Sequence, residues 1–203
     1  MNQVKINDNW KGGIAKSITF IVTKDCQLAC KYCYLVGKNT KERMPWEIAK
    51  QAIDYIFDNE REFPEESVVW DFIGGEPFLE IGLIDRICDY IKIEMFRRNH
   101  HWFNSYRFSF STNGINYSEE KVQQFVKKNL GHLSIGITID GTEMKHDLNR
   151  IYKITGRGSY HDVVRNIPLW LEQFPNAATK VTISSADIPY IKDSVLHLWF
   201  RHS

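Results

Sequence analysis

The chain has 203 residues, enough for one large domain with a hydrophobic core. Hydrophobic residues make up 43% and charged residues 25%, which is typical of a globular protein rather than a disordered one. The net charge of +1 gives no general attraction for nucleic acid, and no apolar run approaches the ~18 residues of a membrane span. The first twenty residues lack the apolar segment of a signal peptide, so we expect a cytoplasmic protein without a membrane partner.

Short apolar runs alternate with helical patterns along the chain. The predicted strands are Ser17–Thr23, Val68–Ile73, Arg107–Ser111, Leu133–Ile139 and Lys180–Ser184. The predicted helices begin at Pro45, at Leu79 (ending near Asn99), at Ser118, near Ser159 (kinked or ended by Pro168) and at Ile191 (ending near Arg201). Five strand–helix units in strict alternation predict an α/β fold with a parallel sheet and right-handed crossovers.

Three of the four cysteines follow the first predicted strand within eight residues: Cys26, Cys30 and Cys33. Such crowding does not suit a disulfide framework, which spreads its cysteines along a small secreted chain. Thiolates at this spacing can bind one corner of an iron–sulfur cube and leave its fourth iron without a protein ligand. An open iron can bind and activate a substrate. The fourth cysteine, Cys88, lies on the apolar face of a predicted helix and reads as a buried core thiol.

Two other chemistries suit the same cysteines. A structural zinc site would need a fourth ligand, which one of four histidines would supply without the usual paired spacing: His100, His101, His132 and His146. A dithiol redox site would use Cys30 and Cys33 and leave Cys26 unexplained. Both interpretations remain open at this point.

Further polar residues follow the predicted strands, at Gly74, Thr112 and Asp140. Parallel α/β folds place their sites at the carboxyl ends of the strands. The position of these residues therefore supports an enzyme.

The arrangement Cys-x-x-x-Cys-x-Tyr-Cys after a first strand resembles the signature of the radical SAM superfamily. Further segments resemble that family's motifs in the same order: Gly74–Pro77, Ser111–Gly114, Thr138–Gly141, His146–Arg150 and Gly156–Tyr160. The resemblance spans Ser17 to about Ser184. It is strongest to the branch that modifies peptides and proteins, which includes anaerobic sulfatase-maturating enzymes and SPASM-type peptide maturases.

The resemblance implies a [4Fe-4S] cluster on Cys26, Cys30 and Cys33, and S-adenosylmethionine as the second cofactor. The residues expected to contact that cofactor are Tyr32, Gly74, Gly75, Glu76, Asn113, Thr138, Asp140 and Arg150. The glycine pair and Glu76 would receive the amino group, since a glycine backbone approaches a ligand closely. Arg150 would bind the carboxylate through its guanidinium fork. No side chain need act as an acid or base.

The implied reaction is reductive cleavage of S-adenosylmethionine to a 5′-deoxyadenosyl radical, which takes a hydrogen atom from a peptide or protein substrate. The implied redox partner is a one-electron donor such as flavodoxin or ferredoxin. The implied fold is a partial (β/α) barrel with about five of its six parallel strands. Residues 1–203 would then form one radical SAM core, without the sixth strand or the C-terminal region of auxiliary clusters.

Two alternatives belong to other functional classes. The chain would be a truncated, non-catalytic relative that binds a peptide along an open sheet edge. Alternatively, it would be a zinc or dithiol redox protein.

Overall fold

A computed structural model describes residues 14–202 of the chain. Within that range a four-stranded parallel sheet has the order β1-β2-β3-β4, with strands at Ala15–Thr23, Ser67–Gly74, Tyr106–Thr112 and Leu133–Ile137. The helices are α1 Trp46–Asp58, α2 Ile81–Arg97, α3 Glu120–Asn129, α4 Glu143–Asn149, α5 Tyr160–Val164, α6 Ile167–Gln173 and α7 Ile191–His202. The α/β class and the parallel sheet are confirmed, as a partial barrel of the expected type.

Burial alternates along each strand and gives the sheet two different faces. One face carries buried apolar side chains such as Phe20, Trp70, Phe108 and Ile135, and these pack in one core with the apolar faces of α1, α2 and α3. The other face carries a row that is in register across all four strands: Thr19, Asp71, Ser109 and Ser134. These four side chains are half-buried or exposed. This row is therefore polar and open, whereas the next row toward the cavity includes the apolar pair Ile21 and Ile73.

The predicted fifth strand, Lys180–Ser184, does not form. Lys180 makes a single parallel bridge to Thr138, in which its N–H donates to the Ile137 carbonyl and its carbonyl accepts from the Ile139 N–H, both at 3.0 Å. The Thr182 N–H is then taken by the Asp140 carboxylate at 3.0 Å, and a 3₁₀ turn over Ser185–Tyr190 follows. The sheet among the described residues thus has four strands rather than five, because a side chain captures the donor that a ladder would need.

The predicted fourth helix is also divided. Helix α5 ends at Val164, and Asn166, the N-cap of α6, donates its side-chain amide to the carbonyls of Gly114 and Ile115, at 2.8 and 3.0 Å. Pro168 then lies in the first turn of α6, where a missing N–H costs nothing, so it starts a helix rather than ending one. The seven-residue helix α4 was not predicted, whereas α7 begins at Ile191 as expected. None of the helices between residues 14 and 202 is long and apolar enough to cross a membrane.

The outer edge of β4 is covered by side chains and loop backbone. The indole N–H of the buried Trp170 donates to the Ile135 carbonyl at 3.0 Å, and Thr179 and Lys180 both donate to the Ile137 carbonyl. Such covering removes free groups with which a further strand would pair. A peptide therefore has little free edge to bind beside β4.

We expect Trp170→Phe to lower the free energy of unfolding by about 1–3 kcal/mol, because the ring is kept while a buried carbonyl loses its partner. Urea unfolding would measure the change. The half-buried Trp46, which packs against Arg86 through its ring, provides the control. Equal costs for Trp170→Phe and Trp46→Phe would contradict a role for the indole hydrogen bond.

Candidate functional site

The loop that carries the three cysteines is held by backbone hydrogen bonds to two other parts of the chain. On one side, the amide N–H groups of Gly75 and Glu76 donate to the carbonyls of Thr23 and Asp25, both at 2.8 Å. On the other side, the loop exchanges hydrogen bonds with residues 149–153, including Ala29 N–H to the Ile151 carbonyl at 2.8 Å. The position of the cysteines is therefore set by segments far away in the sequence.

All three cysteine side chains line one cavity of about 430 Å³ at the carboxyl ends of the strands. Each is a free thiol; Cys26 is buried, and Cys30 and Cys33 are half-buried. The three sulfurs do not all lie within 4.8 Å of one another, since among the described residues only Glu60, His100 and His101 form such a group. A single zinc ion needs sulfurs within about 4.6 Å, twice the Zn–S bond length. In this structure the three sulfurs are therefore not placed to bind one metal ion together.

The electrostatics of the thiols depend on whether a metal is bound. Burial and the nearby Glu76 raise the pKa of Cys26 to about 11. Burial also raises the pKa of Cys30, against the opposing effect of the cations Arg150 and Lys38. Without metal the buried thiols are therefore held protonated at neutral pH, and bound iron would be the charge that deprotonates them.

Gly74 and Gly75 line the same cavity, and both are required by backbone packing. A Cβ on Gly75 would lie 2.1 Å from the Asp25 carbonyl oxygen, and a Cβ on Gly74 would lie 2.3 Å from the Thr23 carbonyl oxygen. Only glycine lets the end of β2 approach the cysteine loop this closely. The two glycines thus allow close backbone packing, a structural role that was not predicted from the sequence.

Glu76 does not line the cavity. Its side chain is fully buried and accepts hydrogen bonds from the Thr112 hydroxyl at 2.6 Å, the Asn113 N–H at 2.7 Å and the Phe78 N–H at 3.1 Å. Burial raises its pKa, and these three donors oppose that effect. The carboxylate therefore ties the end of β2 to the turn that carries Asn113, which does line the cavity.

Tyr32, Asp140 and Arg150 form one hydrogen-bonded network. The Tyr32 hydroxyl donates to the Asp140 carboxylate and accepts from Arg150 Nη1 at 2.8 Å. Tyr32, Arg150 and Thr138 line the cavity, whereas Asp140 lies behind them and also accepts from the Thr182 N–H. The Nε of Arg150 is buried and has no hydrogen-bond partner. A buried guanidinium with a free donor beside a cavity suits an anionic ligand such as a carboxylate.

His146 was considered in the sequence as a fourth zinc ligand and as the start of the family-like segment His146–Arg150, and the structure places it behind this network. Its Nδ1 accepts from the Asp140 N–H at 3.3 Å, and its Nε2–H donates to the Ser159 hydroxyl at 3.0 Å. Ser159 in turn donates to the Arg150 carbonyl at 2.8 Å. Burial, together with Arg150 and Lys145, lowers the pKa of His146 to about 3, so the ring stays neutral. The sequence signal that could have indicated this supporting role is the spacing of four residues between His146 and Arg150.

Nine of the eleven residues predicted for the site line the cavity, and Glu76 and Asp140 lie behind it. The lining residues that were not predicted are Leu28, Tyr34, Lys38, Ile73, Ser111, Thr112, Lys180 and Thr182. Ser111 and Thr112 belong to the segment Ser111–Gly114, which the sequence analysis identified as similar to a family motif. Lys180 and Thr182 reach the cavity from the segment predicted as a fifth strand.

Comparison with known proteins agrees with this geometry. The sequence profile described as the radical SAM superfamily matches residues 20–189. The chain belongs to the radical SAM superfamily. This membership implies a [4Fe-4S] cluster and S-adenosylmethionine as cofactors.

Two curated relatives are an uncharacterized protein of Methanocaldococcus jannaschii, 31% identical over 90% of this chain, and one of Synechocystis sp., 29% identical over 89%. The chain spans 58% and 44% of their lengths. It is therefore similar to about half of each relative.

Two solved structures share the fold. Native anSMEcpe with bound AdoMet and Cp18Cys peptide superposes with a TM-score of 0.73 at 19% identity, over 92% of this chain and 48% of that one. Streptococcus suis SuiB bound to precursor peptide SuiA gives a TM-score of 0.54 at 14% identity, over 92% of this chain and 36% of that one. At these identities the likeness establishes the fold alone.

We expect Gly75→Ala to reduce iron retention roughly tenfold, because the new methyl group must push away the loop that carries Cys26. Iron and sulfide analysis after anaerobic reconstitution would measure this loss. Gly82→Ala is the matched control, since a Cβ there meets nothing within 4 Å. The control should retain iron and gain about 0.5–1 kcal/mol of stability from helix propensity. Equal iron content in both variants would contradict the packing argument.

The neutral His146 predicts a pH dependence of stability. Its pKa is near 3 in the folded chain and near 6.5 when unfolded, so below about pH 6.5 only the unfolded state takes up the proton. The free energy of unfolding should therefore fall by about 2 kcal/mol between pH 6.5 and pH 5 on this account alone. Urea unfolding of the metal-free protein would show a flatter profile for His146→Gln. The exposed His161→Gln should keep the wild-type profile, and a flat wild-type profile would contradict the assignment.

Proposed function

We propose that this chain is the radical-generating domain of an enzyme that modifies a peptide or protein. Cys26, Cys30 and Cys33 hold a [4Fe-4S] cluster, and S-adenosylmethionine occupies the cavity beside it. The observation that carries this proposal is the single cavity that joins three free thiols to a buried arginine with an unpaired donor. Family membership supplies the identity of the two cofactors.

When bound, the cluster and S-adenosylmethionine supply one-electron cleavage and a 5′-deoxyadenosyl radical that takes hydrogen from the substrate. The residues of the chain bind and orient. Arg150 offers its Nε to the carboxylate, and the Tyr32–Asp140 pair fixes the direction of the guanidinium. Gly74 and Gly75, which line the cavity, would receive the amino group.

The remaining lining residues complete the cavity. Asn113 and Thr138 would offer hydrogen bonds to the bound cofactor, and the apolar Leu28 and Ile73 would exclude water from the cavity. His146 keeps Asp140 and Arg150 in register through Ser159 and moves no proton, because its ring stays neutral. Protein groups thus position the cofactor rather than transfer protons.

A peptide or protein is the substrate class that the comparisons favour. The two solved structures of similar fold are described with a bound peptide or precursor peptide. The polar row of Thr19, Asp71, Ser109 and Ser134 would offer hydrogen-bonding side chains to such a ligand. The electron would come from a small carrier such as flavodoxin or ferredoxin.

The competing functions are less well supported. A non-catalytic peptide-binding relative was expected to use an open sheet edge, but the edge of β4 is covered by Trp170 and Lys180. A mononuclear zinc site would need the three sulfurs to lie closer together than they do in this structure. A dithiol site would not explain why the buried Nε of Arg150 has no hydrogen-bond partner.

The decisive experiment is anaerobic reconstitution with iron and sulfide, followed by S-adenosylmethionine and dithionite. Formation of 5′-deoxyadenosine, measured by chromatography, is the expected result. A preparation that takes up zinc but no iron–sulfur cluster would overturn the proposal.

Two cysteine variants separate ligation from stability. Cys30→Ala should abolish formation of 5′-deoxyadenosine, because a cluster ligand is lost. Cys88→Ala should leave cleavage unchanged and lower the free energy of unfolding by about 1 kcal/mol, since Cys88 is buried in the apolar face of α2. Unchanged cleavage by the Cys30 variant would refute its assignment as a ligand.

A further inference from the structure

Two side chains of opposite charge lie at the sheet without an ion-pair partner. Asp71, on β2, belongs to the polar row and is half-buried. Lys180 comes from the segment beside β4 and lines the cavity. Within residues 14–202 neither group forms an ion pair, and the Asp71 carboxylate accepts no hydrogen bond. Both charges are therefore available to a ligand from outside the chain.

The Lys180 side chain is held at both of its ends. At the backbone, its N–H and its carbonyl bond to Ile137 and Ile139, both at 3.0 Å. Its stem passes over Gly136, where an added Cβ would lie 3.1 Å from the lysine Cε. Its ammonium donates to the Ser111 hydroxyl. The cation is therefore kept against the sheet although the residue is exposed, and it loses little freedom when an anion binds.

Two other cations line the cavity in the described part of the chain, and both have different contacts. Lys38 donates to a carbonyl of the cysteine loop, and Arg150 donates to the Tyr32 hydroxyl, each at 2.8 Å. The proposed function assigns Arg150 to the carboxylate of S-adenosylmethionine. Of the three cations, Lys180 is the one that hydrogen-bonds to the sheet, at Ser111 on β3. Its charge therefore lies between the cavity and the polar row.

The strand register gives the separation of the two charges. Ser109 and Ser111 lie on the same face of β3, and Asp71 is the register partner of Ser109. The Cα atoms of Asp71 and Ser111 are thus about 8 Å apart, one strand across and two residues along. In an extended peptide, the side chains of residues i and i+2 project from one face about 7 Å apart. An acid and a base two positions apart can therefore reach both groups.

We propose that Lys180 and Asp71 select a peptide substrate in which an acidic and a basic residue are two positions apart. The acid pairs with Lys180 beside the cavity, and the base pairs with Asp71 in the polar row. A peptide with uncharged or reversed side chains leaves both protein charges unpaired or repelled, so it binds more weakly. The inference rests on the proposed function, because a peptide covers this face only if the chain acts on peptides.

Selection from a random library tests the charge pattern. Random dodecapeptides are displayed on mRNA and selected on immobilised, anaerobically reconstituted protein in the presence of S-adenosylmethionine. Peptides with an acid and a base two positions apart should be enriched about fivefold over the starting library, since an exposed ion pair contributes up to about this factor in affinity. One order of the two charges should dominate, because the acid lies nearer to the cavity.

Exchange of the two protein charges gives the sharpest comparison. Asp71→Lys/Lys180→Glu leaves the net charge unchanged and should enrich the opposite order of acid and base. Lys180→Met keeps an apolar stem over Gly136 and should lose the preference for the acid alone. Lys127→Glu is the control, because it reverses the charge of an exposed lysine on α3, which packs on the other face of the sheet. The control should select the wild-type pattern.

Fluorescence anisotropy with one selected, labelled dodecapeptide gives a second readout. Lys180→Glu should bind this peptide at least about fivefold more weakly than wild type, and the difference should shrink as salt is added. The same peptide with its acid replaced by lysine should bind Lys180→Glu more tightly than wild type.

Wild-type pools without the charge pattern, or no recovered peptide at all, would overturn the inference. The same order of charges in the wild-type and exchanged proteins would also overturn it. Loss of S-adenosylmethionine binding by Lys180→Met would count equally against it, since the lysine would then serve the cofactor. Absence of 5′-deoxyadenosine from the wild-type protein with dithionite would instead contradict the proposed function.

Discussion

The structure depends on the close approach of two backbones, the cysteine loop and the end of β2. The amides of Gly75 and Glu76 donate to carbonyls on either side of residue 24, and the absence of a Cβ on Gly75 allows this contact. The same peptide segment then places Glu76 beneath β3, where its carboxylate binds Thr112 and the Asn113 N–H. One short sequence thus aligns the ends of three strands and the thiols that follow the first. A shift of the glycine pair would move all of these groups together.

The almost fully buried ionisable side chains of this region include Glu76, Asp140 and Arg150. Burial of a charge is costly unless hydrogen bonds replace its hydration. Glu76 has three such bonds and Asp140 accepts from Tyr32 and Thr182, whereas Arg150 keeps one donor unmatched. The chain therefore compensates its buried anions internally and leaves part of its buried cation to a ligand.

Local sequence patterns predicted the features that depend on neighbouring residues in the chain. The period-two runs gave four strands, the apolar repeats gave α1 to α3, and the cysteines with the residues after each strand gave most of the cavity. Lys180–Ser184 has a strand-like composition, but a distant carboxylate, Asp140, captures its Thr182 amide. Asn166 divides a helix through contacts with residues about fifty positions away. Neither partner can be seen in a window of sequence, so these errors concern long-range hydrogen bonds.

Long-range contacts also decide where the predicted site residues lie. Glu76 and Asp140 were assigned from the family resemblance and from their position after a strand, which fixes the end of the sheet but not the direction of a side chain. Both turn inward and bind protein donors. The packing role of Gly75 also depends on Asp25, which is fifty residues away and becomes its neighbour only in the folded sheet.

The in-register row of Thr19, Asp71, Ser109 and Ser134 has a consequence for solvation. Whatever covers these side chains must displace the water that hydrates three hydroxyls and a carboxylate. An apolar molecule would remove that water without replacing its hydrogen bonds, whereas a peptide brings donors and acceptors that can replace them. At the level of this row the sheet therefore favours a ligand with amide groups over an apolar one.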